Sequence, residues 1–576
     1  MPQFASLPTT AQEISTWTWP QIAPYYDDLL ARPLTADNVG AWLSDWSALS
    51  SLLDEVNTRY TIATTVNTAD TASEQAYNAF LDDIMPNMME AEQKVKQHLL
   101  NSGLEPHGFA LPLRKLRADA AIYRDDNVAL LSEARKLSLE YEKIAGARNV
   151  TWDGQEIPLL QLAPVLEEPD RDRRERAWRT QFARILQDTP TLAPLWRQMI
   201  ELRHRTATNA GFDNYRSYRW QQMYRFDYSP DDAKRFHAAI EEAVVPAARR
   251  INDQRRQQLG VPTLRPWDRD VDPANRPPLR PYQTIDELET KTSDIFRNVS
   301  PRFAGYFETM RAEHLLDLDS RKNKAPGGYS LGFNVIGLPF IYANSVGTHE
   351  DVQTLLHEGG HAFHTFEAAP LPYLQLKSET MVPMEFAEVA SMGMELLASP
   401  YLTTQYGGFY TEAQAARARV DNLRSIITFW PYMAMIDALQ HWVYEHPDAS
   451  ADIAQTDAYW ATLSDRFWPH LDWSGLEAEK RAFWHRQGHV WTDPFYYIEY
   501  GMAQLGAVQV FANSLRDPAA AVEAYRQALT LGGGAPLPDL FAAAGARFAF
   551  DADTLRSAVT LLEDTIAQLE PIAAQG

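Results

Sequence analysis

Apolar residues recur at helical spacing along most of this chain. Trp42, Trp46, Leu49, Leu52, Leu53 and Val56 form an early stripe, and further helical patterns follow to about residue 145. Arg171 to Ile185 reads as a charged, solvent-facing helix. Val352, Leu355, Leu356, Ala362, Phe363 and Phe366 mark another helix. Thr348 and Asp351 resemble a capping box at its start, and Pro370 marks its end. The run Met384 to Leu397 is amphipathic, begins after Pro383 and stops near Pro400. A last amphipathic helix is expected from about Asp551 to Leu569.

Only one region alternates like a strand. Leu331, Phe333 and Val335, then Phe340 and Tyr342, predict a strand pair, with Pro339 at an edge or turn because it cannot donate a ladder bond. Pro262, Pro266, Pro273, Pro277, Pro278 and Pro281 make residues 261–282 a loop and not a helix, read as an ordered surface loop in preference to a domain linker, and Gly532-Gly533-Gly534 is a later break. No internal repeat or low-complexity stretch is apparent.

The chemistry concentrates at His357-Glu358-Gly359-Gly360-His361, an H-E-x-x-H pattern inside a helix. Imidazoles four residues apart project from one face and can grip one metal ion, with Glu358 beside them to take a proton from water. His364 continues the same stripe. Each glycine costs about 1 kcal/mol in a helix interior, so a substrate or a crossing helix is expected close to that backbone. A third ligand is required, and the next helix offers Glu385, Glu388 and Glu395. Spacing alone does not choose among them.

Composition narrows the field modestly. The 576 residues carry no cysteine, which excludes disulfides and thiolate chemistry and fits a reducing cytoplasm. A net charge of −23 argues against nucleic-acid or anionic-membrane partners. No secretory signal or membrane-length apolar span is visible. Gly328-Tyr329-Ser330-Leu331-Gly332 matches the G-x-S-x-G serine pattern, but a strand continues where that motif needs a helix.

His357 to His364 and Phe386 to Leu397 resemble the active-site helices of zinc metallopeptidases of the thimet oligopeptidase and oligoendopeptidase F group. Gly211-Phe212 with Asn214-Tyr215, Gly327 to Ser330 with Pro339 to Asn344, and Pro494 to Gly501 resemble further blocks. The likeness runs from about residue 160 to 545. It implies one zinc ion held by His357, His361 and Glu388, with Glu358 as general base. Glu395 and His364 would support the ligands, and His489, Tyr500 and then Tyr497 would donate hydrogen bonds in the transition state. Tyr496, Tyr329 and Asn344 are expected nearby as supporting or substrate-contacting residues.

The implied fold is mostly α, with two helical lobes around a deep channel and a small sheet beside the metal helix. An N-terminal helical region (1–190) and a catalytic region (191–576) are expected. The implied activity is cleavage of internal bonds in short peptides by a monomer or small homo-oligomer. A zinc carboxypeptidase is the alternative, although the H-P-F and D-x-R-x-T signatures are missing. A non-catalytic scaffold is the third, against which Glu358, the ligands and the tyrosines all stand.

Overall fold

The computed structural model describes residues 3–575 and is mostly helical. Two apolar cores organise it. The smaller is built by Trp19–Ala31, Val39–Val66 and Met85–Ser102, and every member of the Trp42-to-Val56 stripe is buried in it. Both stripe indoles find acceptors: Trp42 donates to the Leu29 carbonyl at 2.9 Å and Trp46 to Glu92 at 2.8 Å. The larger core takes in Leu137, Tyr141 and Trp178 and continues to Ala573. Residues 137–187, which a division at 190 groups with the N-terminal region, thus pack with the catalytic half.

Glu412–Glu445 is the axis of the larger core. Beyond its first turns it is buried nearly all round, and it packs against Pro230–Ala243, Ile453–Phe467, Tyr497–Ser514 and Ala552–Ala573. Its Trp430 indole donates to the Gly501 carbonyl at 2.9 Å, fixing the depth of the Tyr497–Ser514 helix.

The strands are few. β1 (Asn149–Trp152) and β2 (Gln155–Pro158) form a hairpin turned by Asp153 and Gly154, both at positive φ. β3 (Leu316–Asp319), β4 (Tyr329–Phe333) and β5 (Leu338–Ser345) form a sheet in the order β3-β5-β4. β4 runs antiparallel to β5, and β3 parallel to it. Pro339 lies in the central strand, yet β3 joins only at Ile341, so at the proline β5 has a neighbour on one side alone. Val335, expected in a strand, sits in the β4–β5 turn instead. Its N–H donates to Glu55 at 2.8 Å, and its side chain joins the N-terminal core. Ser330 lies mid-strand with no helix after it, as the reading against a serine elbow requires.

Two expectations need amendment. The proline-rich excursion is ordered as expected, but it is not confined to the surface. Asp268 within it is fully buried and accepts from Arg171 and Arg174. For the same reason Arg171–Gln187 is not wholly solvent-facing, since Trp178, Phe182 and Arg174 are buried. Gly532–Gly534 is a tight turn against the segment joining the two helices that carry the candidate ligands. A Cβ at Gly532 would stand 2.4 Å from the Leu376 carbonyl oxygen, and one at Gly533 2.5 Å from that of Met381.

Candidate active site

The histidine helix spans His349–Ala368. Asp351 caps it as the sequence suggests, accepting the Thr348 N–H at 2.7 Å and the Tyr282 hydroxyl at 2.5 Å. Val352, Leu355, Leu356, Ala362 and Phe363 are buried, while Phe366 is half-buried and stacks on Tyr306 at 4.4 Å. This apolar face rests on β4, β5 and neighbouring helices, and the opposite face presents His357 and His361 to the glutamate helix, Met384–Ala398. The crossing helix explains Gly360. A Cβ there would lie 2.4 Å from the Ala390 carbonyl oxygen and 2.6 Å from Ser391 Cα. Only a glycine allows the two backbones to come this close.

That approach brings three donors together. His357 Nε2 is 3.4 Å and His361 Nε2 3.6 Å from Glu388 Oε2, and all three atoms lie within 4.8 Å of one another. A tetrahedral ion about 2.0–2.2 Å from each ligand holds ligand atoms about 3.3–3.6 Å apart, so these separations fit a metal ion. Glu395 Oε1 is 2.7 Å from His357 Nδ1, which turns Nε2 toward the centre. Ser391 donates to Glu388 Oε2 at 2.9 Å. The electrostatics are those of a cation site. Burial alone would raise the Glu388 carboxyl, but the facing imidazoles outweigh it and bring it down to about 2. Burial opposes a charge on His357, yet Glu388 and Glu395 raise its pKa well above the usual value. Glu385, the rival ligand by spacing, instead accepts from Tyr228 at 2.7 Å.

Glu358 is buried on the same helix, between the two histidines in sequence. His364 is also buried. Its ring packs edge-on to Phe386, and burial, then His361, lower it to about 3, so it stays neutral. The tyrosines divide. Tyr496 and Tyr500 pack ring to ring at 5.3 Å, close enough to Glu388 for its charge to raise both phenols after burial has done so. Tyr497 packs against His489 and Tyr500, ring centres 5.2 and 5.6 Å away, and also against Phe429 and Tyr432. The Glu388 charge thus acts on Tyr500, expected as a donor, and on Tyr496, expected only nearby. His489 lies 6.1 Å from Tyr500 and 5.7 Å from Tyr496, ring centre to ring centre. Its Nδ1 is 3.0 Å from Gln487 Nε2, and Gln487 in turn accepts from Tyr432 at 2.8 Å.

Tyr329 and Asn344 are tied into structure. The Tyr329 hydroxyl pairs with Thr65 at 2.5 Å and its ring stacks on Tyr342, while Asn344 donates to the Ala325 and Gly327 carbonyls at 2.7 and 2.9 Å. Asn344 thus holds the loop ahead of β4, and Tyr329 ties β4 to the Val39–Val66 helix.

A second grouping, His237, Asp437 and His441, also gathers within 4.8 Å, fully buried. Here His237 Nε2 is 2.7 Å from Asp437 Oδ2, a hydrogen-bond distance, and His441 Nε2 is 3.2 Å from the same oxygen. The Arg216 guanidinium lies 3.2 Å from His441 Nδ1. A proton already closes this cluster. Only the i, i+4 spacing of Asp437 and His441 hints at it in the sequence.

Comparison with known proteins agrees with the geometry. Over 98% of this chain, the fold matches 99% of a structure of Pz peptidase A with an inhibitor, at 25% identity and a TM-score of 0.85. A structure assigned to oligoendopeptidase F matches at 26% identity and TM-score 0.85, covering 99% of each chain. Another so assigned, from Bacillus anthracis str. Ames, covers 96% of this chain and 97% of that one at 23% identity and TM-score 0.81, a likeness of fold. An oligoendopeptidase F homolog of Mycoplasma pneumoniae is 30% identical over 145 residues, which span 24% of this chain and only 22% of that protein. Residues 12–107 match the peptidase M3 N-terminal domain and residues 165–560 peptidase family M3 itself, so this chain belongs to peptidase family M3.

Proposed function

We propose that this protein is a zinc-dependent oligoendopeptidase that hydrolyses internal bonds of short peptides. The observation that carries the proposal is the ion-sized spacing of His357 and His361 from Glu388, with Glu358 buried on the helix that carries both histidines. Those three side chains would hold the zinc. When bound, zinc polarises the scissile carbonyl and acidifies a water molecule to a pKa of about 7.

The remaining work belongs to side chains of this chain. Glu358 accepts the water proton and passes it to the departing amine, so no protein nucleophile is required. Tyr500 and Tyr496 donate to the carbonyl oxygen as negative charge develops on it. Burial and the Glu388 charge push Tyr500 up to about 12, so its proton stays in place at working pH. His489 is lowered from its usual value by burial and is neutral. Gln487 donates to its Nδ1, which leaves the proton on Nε2 for donation. The outer edge of β4 has no strand partner among the described residues and suits an extended peptide backbone.

The test is mass spectrometry of short peptides and one folded protein, incubated with the enzyme with and without a chelator. Internal cuts in the peptides alone, lost on chelation and restored by zinc, are expected. C-terminal trimming would replace the proposal with a carboxypeptidase, and a fully zinc-loaded chain that cuts nothing would refute it. Glu358→Gln should retain zinc and lose turnover by more than about 10³-fold, whereas activity within tenfold of the parent would remove it as the base.

A further inference from the structure

Arg225 follows the short helix Tyr215–Gln222, and its side chain is 1% exposed. Its Nη2 donates to Glu499 Oε1 at 2.7 Å and to the Phe495 carbonyl. Its Nε lies 3.7 Å from Glu385 Oε1, which also accepts from Tyr228. The two carboxylates belong to different helices. Glu499 immediately precedes Tyr500, and Glu385 lies one turn before Glu388. One buried cation is thus shared between the helix bearing the third ligand and the helix bearing the transition-state donors.

Phe495 adds a second, independent observation. It is fully buried and holds a left-handed backbone, φ +68°, which a bulky residue adopts only where its surroundings impose it. Gln440 accepts its N–H, Arg225 grips its carbonyl, and Arg219 donates to the preceding Pro494 carbonyl at 3.2 Å. The strained residue is the one directly before Tyr496. Its conformation sets where the tyrosine helix begins and where its phenols point.

Burying two carboxylates and a guanidinium is a poor way to stabilise a fold, because apolar groups of similar size do as well or better. What such a network supplies is fixed geometry. We propose that Arg225 is a positioning residue for the reaction, holding Tyr496 and Tyr500 in register with Glu388 through Glu499, Glu385 and the Phe495 carbonyl. This rests on the peptidase reading above.

Two variants test it. Arg225→Lys keeps a charge but cannot reach both carboxylates and the carbonyl together. The triple variant Arg225→Met, Glu385→Gln, Glu499→Gln removes every charge at once and so avoids stranding a buried ion. Each is measured for zinc content, thermal midpoint, kcat and KM, alone and in a Tyr496→Phe, Tyr500→Phe background. In whichever variant folds, full zinc loading, a kcat at least tenfold down and a KM within threefold are expected. The kcat loss should vanish in the double-phenylalanine background, because the groups being positioned are gone. A folded, zinc-loaded variant with kcat within twofold of its parent would overturn the proposal, as would a loss of equal size in both backgrounds. A parent without chelator-sensitive activity, or tyrosine variants as active as the parent, would instead mark failure of the underlying reading.

Discussion

Among the described residues two sets of two histidines and a carboxylate gather closely, and only one of them has the donor spacing of a metal site. His237, Asp437 and His441 sit at 2.7 and 3.2 Å around one oxygen, fully enclosed, beside a guanidinium. His357 and His361 stand 3.4 and 3.6 Å from one Glu388 oxygen, with the histidine side chains about a quarter exposed and Glu395 turning one ring. Composition is identical but for one methylene. The lesson is that spacing between donors, access, and what occupies the outer ring nitrogen separate a hydrogen-bonded brace from an ion site.

The sharpest way to break this comparison is to remove one carboxylate at a time. Glu388→Ala should weaken zinc binding by more than about 10³-fold and abolish turnover, while Glu385→Ala leaves a metal-loaded chain. Equal effects, read by equilibrium dialysis, would sink the choice of ligand. The tyrosines carry the same contrast between open site and packed interior. Tyr500→Phe should lower kcat by about 10²–10³-fold and Tyr497→Phe by less than about threefold. Tyr500 is raised to about 12, first by burial, a cause that persists with metal bound. A raised phenol pKa keeps the donor protonated as pH climbs, so the alkaline limb of the pH–rate profile below pH 10 should be unchanged in Tyr500→Phe. Removing the outer hydrogen bond by Glu395→Gln should weaken zinc by about 10–100-fold. The smallest metal effect belongs to His441→Asn, which should keep one zinc per chain yet lose about 3 kcal/mol of stability in urea unfolding. Loss of zinc there would erase the distinction.

Much of this site is legible in the sequence because its parts are local. Two imidazoles four apart on a capped helix, and carboxylates on the next amphipathic helix, follow from periodicity. Even the price of Gly360 points to a close neighbour before the neighbour is known. Choosing Glu388 over Glu385 needed the family resemblance, since both are buried on one helix and only the fold decides which faces histidines. Tyr496 was harder. It is adjacent to Tyr497 and follows a left-handed Phe495, a backbone turn that side-chain spacing does not reveal. Arg225 gives no signal at all, because the carboxylates it pairs with lie more than 150 residues away. The Asp153-Gly154 hairpin also escapes the periodicity reading, because its four-residue strands are too short to show an alternation.

The Gly532–Gly534 turn carries a consequence for how the protein is made. It braces the segment between His361 and Glu388 by pressing on the Leu376 and Met381 carbonyls, yet it lies more than a hundred residues after the last ligand. During synthesis at about 5–20 residues per second, the ligands emerge many seconds before that support. A chain not yet extended to Gly532–Gly534 therefore lacks the turn that packs against the segment between His361 and Glu388.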